Sequence, residues 1–305
     1  MEKICITVTM EQEEERVDKV ITEEVAALSR SFVQKLIKEN QLFVNEVPVK
    51  ASYRVKEGDR IVFSIPKAVE PDIEPENIKL DILYEDEDLL VINKPKDMVV
   101  HPAPGHYSGT LVNAVLWHCK GNLSGINGIL RPGIVHRIDK DTTGALIVCK
   151  NDVAHNHIAA QLKDHSIQRK YYAIVHGVIK EEAGTVEGAI GRDPFDRKKM
   201  CINEKNGKSA ITHYKVLKRF AEYTYISCQL ETGRTHQIRV HMTSIGHPLL
   251  GDEVYGKRAS KFRLQGQTLH AGSIGFIHPA TETYMEFQAP LPEYFSHLLQ
   301  VLKSD

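Results

Sequence analysis

Apolar positions change period several times along the chain, and the changes divide it into parts. Near the start Val17, Ile21 and Val25 recur at helical spacing, and Phe32, Val33, Leu36 and Ile37 repeat the pattern with Ser29 or Ser31 placed to cap it. "QLFVN" and "RIVFSI" then read as short strands, separated by "VKEGDR" with its Gly58-Asp59 turn. "PKAVEPDIEPEN", residues 66 to 77, interrupts both periods with prolines and acids and predicts a linker. Residues 14 to 65 are therefore expected to form a small α+β domain behind an N-terminal extension of residues 1 to 13. Residues 78 to 305 are expected to form the larger one.

In that larger part "DILYEDEDLLVINKP" predicts a strand, an acidic turn and a strand, and "GALIVCK" predicts another strand. Asn151 or Asp152 then caps a helix carrying Val153, Ile158, Ala159 and Leu162. "KYYAIVHG", "SAITHYKVLKRF" and "YTYISCQLE" follow as strands, the last two as antiparallel neighbours. The tail "PEYFSHLLQVLKS" reads as an amphipathic helix that lays Phe295, Leu298, Leu299 and Leu302 on the domain. The sum is a sheet-centred α+β protein.

With 305 residues, 42% of them hydrophobic, the chain can bury a substantial core. Lys plus Arg at 39 against Asp plus Glu at 40 leaves a formal charge of -1, so any polyanion site has to be local. The five cysteines show no metal-ligand or redox spacing, which points to a reducing compartment. The opening segment lacks the apolar core of a secretory signal, and no apolar run approaches the roughly 20 residues that span a bilayer. A cytoplasmic protein with no membrane partner is expected.

Three segments concentrate chemistry. "RPGIVHRIDKDTTG", residues 131 to 144, gathers His136, Arg137, Asp139 and Asp141; Gly144 permits a tight entry into "ALIVCK" and so fixes the address of Asp139. On residue types alone Asp139 serves as a turn cap as well as it serves catalysis, and Arg137 as well pairs with Asp141. "ETGRTHQIRVHMTSIGHPLLGD", residues 231 to 252, predicts a helix capped by Thr235, with Ile238, Met242 and Ile245 buried and Gly246 and Pro248 ending it. His236 and Arg239 share one of its faces. Arg239 either reaches solvent or meets a buried carboxylate, where losing a partner costs about 3 to 5 kcal/mol. In "QRKYYAIVHG" Tyr171 and Tyr172 point to opposite faces of a strand, one to the core and one to a cleft, where a ring can stack on an extracted base for about 1 to 3 kcal/mol.

Other chemistries fit poorly. His236 and His241 are five apart with no Glu between them, against the zinc-protease spacing, and "AGTVEGAIGRDP" lacks the Gly-Lys-Ser/Thr ending of a phosphate loop. "NLSGINGIL" has no nucleophile elbow, and the proximity of Asp139 and Asp141 in sequence does not establish opposed glycosidase carboxylates.

Two resemblances follow. Arg16 and Asp18 with "SRSFVQKLI", "VNEVPVK" and "VKEGDRIVF" make residues 14 to 65 similar to the S4 RNA-binding domain, which implies that basic side chains on its helices, Arg30 and Lys35 among them, meet folded RNA. "HRIDKDTTG", "KYYAIVHG" and "TGRTHQIRVH", in that order, make nearly the whole chain resemble the bacterial RluA/RluD family of large-ribosomal-subunit pseudouridine synthases. Ile138 stands where that family usually has Leu, Thr143 where it often has Ser, and Asp97 in "NKPKDMVVHP" where it commonly has Gly, which leaves the geometry of that turn open.

The resemblance implies a catalytic domain on a mixed, largely antiparallel sheet and a cofactor-free, metal-free isomerisation of uridine to pseudouridine. Asp139 matches the catalytic aspartate, Arg239 the arginine that pairs with it, and Tyr171 the active-site tyrosine. His136 and Arg137 are expected to organise the flipped nucleotide and its phosphate, with Lys94, His101 and Arg234 on the surrounding RNA surface. The implied partner is large-subunit ribosomal RNA or an assembly intermediate, bound by a monomer. The competing reading is a non-catalytic S4-type RNA-binding or ribosome-assembly protein.

Overall fold

The computed structural model describes residues 2–25, 30–65, 73–102, 106–120, 122–125, 132–196, 198–256 and 262–304. The chain divides into two compact units, residues 1 to 71 and 72 to 305. In the first, strand β1 (Glu2–Thr7) is followed by helices α1 (Val17–Glu24) and α2 (Arg30–Lys38) and strands β2 (Leu42–Val44), β3 (Val47–Pro48) and β4 (Arg60–Ile65). The sheet order is β1-β4-β2-β3, with β1 and β4 paired antiparallel from Glu2↔Ile65 to Thr7↔Arg60. The segment read as an N-terminal extension thus supplies an edge strand, because "KICIT" alternates in phase with "RIVFSI". Val17, Val20, Ile21, Val33 and Leu36 close a small core over Leu42, Ile61 and Phe63.

The second unit begins with β5 (Ile82–Glu85), β6 (Leu89–Lys94), α3 (Leu111–His118), β7 (Thr143–Cys149), α4 (Asp152–Lys163) and β8 (Gln168–His176). It continues through β9 (Ala183–Glu187), β10 (Ile190–Arg192), β11 (Met200–Ile202), β12 (Ile211–Arg219), β13 (Tyr223–Leu230) and α5 (Gln237–Ser244), and ends with β14 (Leu269–Ile277), β15 (Tyr284–Gln288) and α6 (Glu293–Ser304). Nine strands form one sheet in the order β5-β6-β7-β14-β8-β13-β12-β9, with β15 beside β14. Every pairing is antiparallel except β7 with β14. The fold is α+β on a mixed, largely antiparallel sheet.

Helices cover both sheet faces, which is why β7 is apolar and buried at every position. Leu90, Ile92, Leu146 and Val148 join Leu111 and Val115 of α3 and Ile238 and Met242 of α5 on one side. Ala145 and Ile147 meet Ala154 and Ile158 of α4 on the other, and Phe295, Leu298 and Leu302 of α6 cover Ile174 and Tyr223 nearby. Asn151 caps α4 by accepting the Ala154 amide. Val153, carried by that helix as expected, is 73% exposed.

Residues 73–77, expected in the linker, belong to this unit. Ile73 enters its core, and Glu74 O accepts from Asn113 Nδ2. Residues 66–72 lie outside the described residues, as do Ser29 and its neighbours before α2.

Candidate active site

The parallel seam between β7 and β14 is where the site is built. Gly144 of β7 and Tyr171 of β8 both sit opposite Ala271 of β14. Gly144 has φ +110°, and a Cβ there would overlap the Ala271 carbonyl, so glycine is required for the two parallel strands to close. The loop entering β7 at that point carries Asp139 into a cleft walled by Arg137, Thr142, Tyr171, Leu230, His236 and Arg239.

Asp139 Oδ2 accepts from Arg239 Nη1 at 2.9 Å, across a hundred residues of sequence. The same guanidinium donates through Nε and Nη2 to both oxygens of Asp252, at 2.7 and 2.9 Å. Arg239 is 6% exposed and Asp252 fully buried, whereas Asp139 keeps 19% of its side chain open to the cleft. Burial alone would lower the Arg239 pKa, but the Asp252 hydrogen bonds and the charges of both carboxylates raise it above the ordinary arginine value. One permanent cation thus joins a buried carboxylate to an accessible one.

His236 Nε2 lies 3.8 Å from the other oxygen of Asp139. Its Nδ1 is 2.8 Å from the Tyr255 hydroxyl, and that oxygen accepts the Met200 amide. When Tyr255 is the donor in that contact, the His236 proton sits on Nε2, the nitrogen that faces Asp139. Burial lowers the His236 pKa, so the ring is neutral at pH 7.

Tyr171 is 8% exposed and lines the cleft, while Tyr172 turns to the opposite face beside Tyr225. Burial raises the Tyr171 pKa, so it is present as the phenol. Arg137 stands on the cleft wall, exposed, with Nη1 3.2 Å from Nε2 of buried His101, not paired with Asp141. Arg234 lines the same wall and donates from Nε to Ser209 O.

Two expected RNA contacts take other places. Lys94 is fully buried, its ammonium donating to Pro95 O, Met98 O and Lys140 O at 2.7, 2.8 and 2.9 Å. It clamps the loop immediately after Asp139 and presents nothing to RNA. Burial pushes its pKa down to about 7 against the opposing charges of Asp141, Asp139 and Asp97. His136 accepts the Ile147 amide at Nε2, and burial drives its pKa down to about 3. It is a fixed neutral ring with no charge to offer a phosphate.

In the first unit, Arg30 is committed to buried Asp18 through Nε and Nη2, although its side chain stays half exposed. Lys35 lies on α2, and its side chain is outside the described residues.

Thr235 does not cap α5. The N-cap is His236, in the left-handed region at φ +57°, and the Gln237 side chain ties the loop instead. Gln237 Oε1 accepts from Arg234 N and Thr232 Oγ1, and its Nε2 donates to Ile211 O. Ile245 is 38% exposed, so the buried stripe of that helix ends at Met242. Asp97 holds φ +63°, the backbone region that glycine favours, and pairs with Lys140 at 2.8 Å. The turn is kept without glycine.

Asp252 and Tyr255 were given no role by sequence, although Asp252 closes the second dense segment. The signal was an acid and an aromatic three apart, in the loop that follows the helix carrying Arg239.

The sheet, the S4-like unit and this carboxylate-arginine cleft define a class of RNA-modifying enzyme. The chain belongs to the RNA pseudouridylate synthase family, whose model matches residues 88–244, and residues 15–61 match the S4 domain. The uncharacterized RNA pseudouridine synthase YlyB of Bacillus subtilis (strain 168) is 51% identical over 305 residues, covering all of both chains. The ribosomal large subunit pseudouridine synthase D of Zymomonas mobilis is 45% identical over 307 residues, covering 97% of this chain and 96% of that one. The solved structure of human RNA Pseudouridylate Synthase Domain Containing 1 superposes with a TM-score of 0.58 at 26% identity, over 79% of this chain and 98% of that one. The activity is pseudouridine formation in RNA.

Proposed function

We propose that the substrate is large-subunit ribosomal RNA, free or within an assembly intermediate, in the cytoplasm. We propose too that Asp139 is the carboxylate that acts on selected uridines there. The observation that carries the assignment is the Asp139–Arg239–Asp252 bridge. It leaves one carboxylate oriented and open to a cleft, while its buried counterpart is consumed in holding the cation. Relatives named as ribosomal large subunit pseudouridine synthases match over nearly the whole chain and support the choice of RNA.

The reaction breaks the N1–C1′ bond, rotates the uracil within the pocket and joins C5 to C1′; the C5 proton leaves and N1 ends protonated. The Asp139 carboxylate serves this either by attack at C1′ or as the base for a glycal-like intermediate. Tyr171, a neutral phenol in the wall, packs against the uracil and relays the C5 proton, giving up its own hydroxyl proton as it takes the new one, so that the net transfer ends on N1. Arg239 holds Asp139 aimed at the cleft. Arg137 and Arg234 hold the extruded nucleotide at the rim, offsetting the unstacking that extrusion costs. The S4 unit adds affinity for folded RNA without reading sequence.

The test is conversion by the full chain of protein-free large-subunit RNA and of assembly intermediates. Pseudouridine is quantified after digestion and mapped after loss and restoration of the protein in cells. Uridine left unconverted in every such RNA, by folded protein that binds it, would overturn the reading.

A further inference from the structure

The cleft wall made by Arg137, Tyr171, Leu230 and Arg234 continues into a second groove of ≈ 510 Å³. Its lining carries Arg137, Lys163, Arg169 and Arg234 with two histidines, His136 and His165, and no carboxylate. In a chain whose formal charge is -1 this is a strong local segregation. Lys163 ends α4, where the helix dipole favours a cation, and both Lys163 and His165 are exposed at the rim.

Arg169 lies deeper and is 7% exposed. Nη2 donates to Glu231 O at 3.1 Å, and Nε is buried with no hydrogen-bond partner. Nη1 passes so close to Gly233 that a Cβ there would lie 2.6 Å from it. Among the described residues no carboxylate pairs with this guanidinium. A buried cation with one carbonyl for company is costly, and it is stable in its place when an anion completes it. Burial first, and then the charge of Arg169, lowers the pKa of neighbouring His136.

We propose that this groove seats a phosphodiester of the RNA strand next to the uridine held at Asp139, with Arg169 receiving the phosphate. The inference rests on the uridine entering the Asp139 cleft, because the two cavities share Arg137, Tyr171, Leu230 and Arg234. Arg137 and Arg234 stand at the junction, Lys163 and His165 guide the strand at the outer edge, and Arg169 fixes its register. Contacts of this kind position a backbone and read no base. Gly233 is part of the device, since any side chain there would displace the guanidinium.

The probe is protein-free large-subunit RNA bound by the full chain over a range of salt. Arg169→Gln is expected to raise Kd on the order of tenfold and to lower the slope of log affinity against log salt by about 0.7 to 0.9, one phosphate contact. Arg169→Lys keeps the charge and should restore most of that slope, which a purely structural arginine would not predict. The exposed double variant Lys163→Gln/His165→Gln should also lower the slope, by about one contact. Lys303→Gln, on the exposed face of α6, should leave it unchanged.

A wild-type slope in folded Arg169→Gln overturns the proposal. If that variant fails to fold, a wild-type slope in the Lys163/His165 variant overturns it. Uridine conversion failing in the wild type would strike the Asp139 reading while leaving these slopes measurable. Unchanged slopes with conversion intact would strike the groove alone.

Discussion

Asp252→Asn isolates the residue that holds the arginine without touching the cleft. In the native protein Asp252 takes Arg239 Nε and Nη2 on its two oxygens, and Oδ1 also accepts the Val254 and Tyr255 amides at 3.0 and 3.1 Å. Asparagine preserves the volume but has one acceptor in place of two, and turns an N–H toward a guanidinium or a backbone N–H. Removing one partner of a buried ion pair costs about 3 to 5 kcal/mol, and since Arg239 keeps Asp139 the loss should fall near the lower end, about 3 kcal/mol. At about 2 to 4 °C per kcal/mol for a domain of this size, Tm should drop by roughly 6 to 12 °C.

Catalysis should suffer separately. An arginine held only by Asp139 follows that side chain and no longer fixes it, and misplacement of a reacting group by about 1 Å can cost on the order of a hundredfold in rate. Single-turnover conversion at saturating RNA is therefore expected to fall by roughly 10- to 100-fold, at a temperature where the variant is fully folded. In an Arg239→Met background Asp252→Asn should add little further rate loss, because its effect runs through the guanidinium. A variant with wild-type Tm would refute the buried-pair argument. A destabilised variant with an undiminished rate would show that Asp252 supports the fold and has no part in aiming Asp139.

How much of this was readable from the sequence depended on how local each determinant is. Asn151 as a cap and the Phe295, Leu298 and Leu302 stripe were legible because each is set within one helix. The start of α5 was not: Thr235 has the residue type of a cap, but the Gln237 side chain, anchored on Ile211 O, decides where the helix begins. Lys94 illustrates the same limit, since a lysine looks solvent-bound until three carbonyls from two chain segments converge on it. Arg239 and its carboxylates are joined only by the strand order. The β7–β14 parallel seam that brings the Asp139 loop over α5 depends on pairings more than a hundred residues apart. Family resemblance supplied the Asp139–Arg239 pairing, and it was silent on Asp252.

The remaining perturbations probe the boundary, the turn and the choice of carboxylate. Residues 72–305 alone should stay folded but bind structured ribosomal RNA more weakly than the full chain; equal isotherms at fixed salt would refute an RNA-docking role for the S4 unit. A cut at residue 78 instead strips Ile73 and the Glu74 carbonyl from their packing and should lower stability by about 2 to 3 kcal/mol relative to 72–305. Asp97→Gly relieves a left-handed backbone cost of about 1 to 2 kcal/mol and gives up an exposed ion pair worth about 0 to 1, so the denaturant midpoint should rise slightly; a loss above about 2 kcal/mol would refute the turn argument. Asp139→Asn should abolish pseudouridine formation with RNA binding retained, whereas Asp141→Asn, two residues along the same loop, should keep it. Asp141 differs physically: its Oδ1 is buried with no hydrogen-bond partner, and burial raises its pKa, opposed by Lys140 and Lys96. A raised carboxyl pKa means the folded state binds more protons than the unfolded state just above pH 3.8, so wild-type stability falls as pH rises through that window. Asp141→Asn lacks the proton and the decline. Its stability relative to wild type should therefore increase from acid toward neutral pH, measured by denaturant unfolding at matched salt. A difference independent of pH would refute the burial argument, and an Asp141→Asn enzyme as inactive as Asp139→Asn would refute the assignment of the two carboxylates.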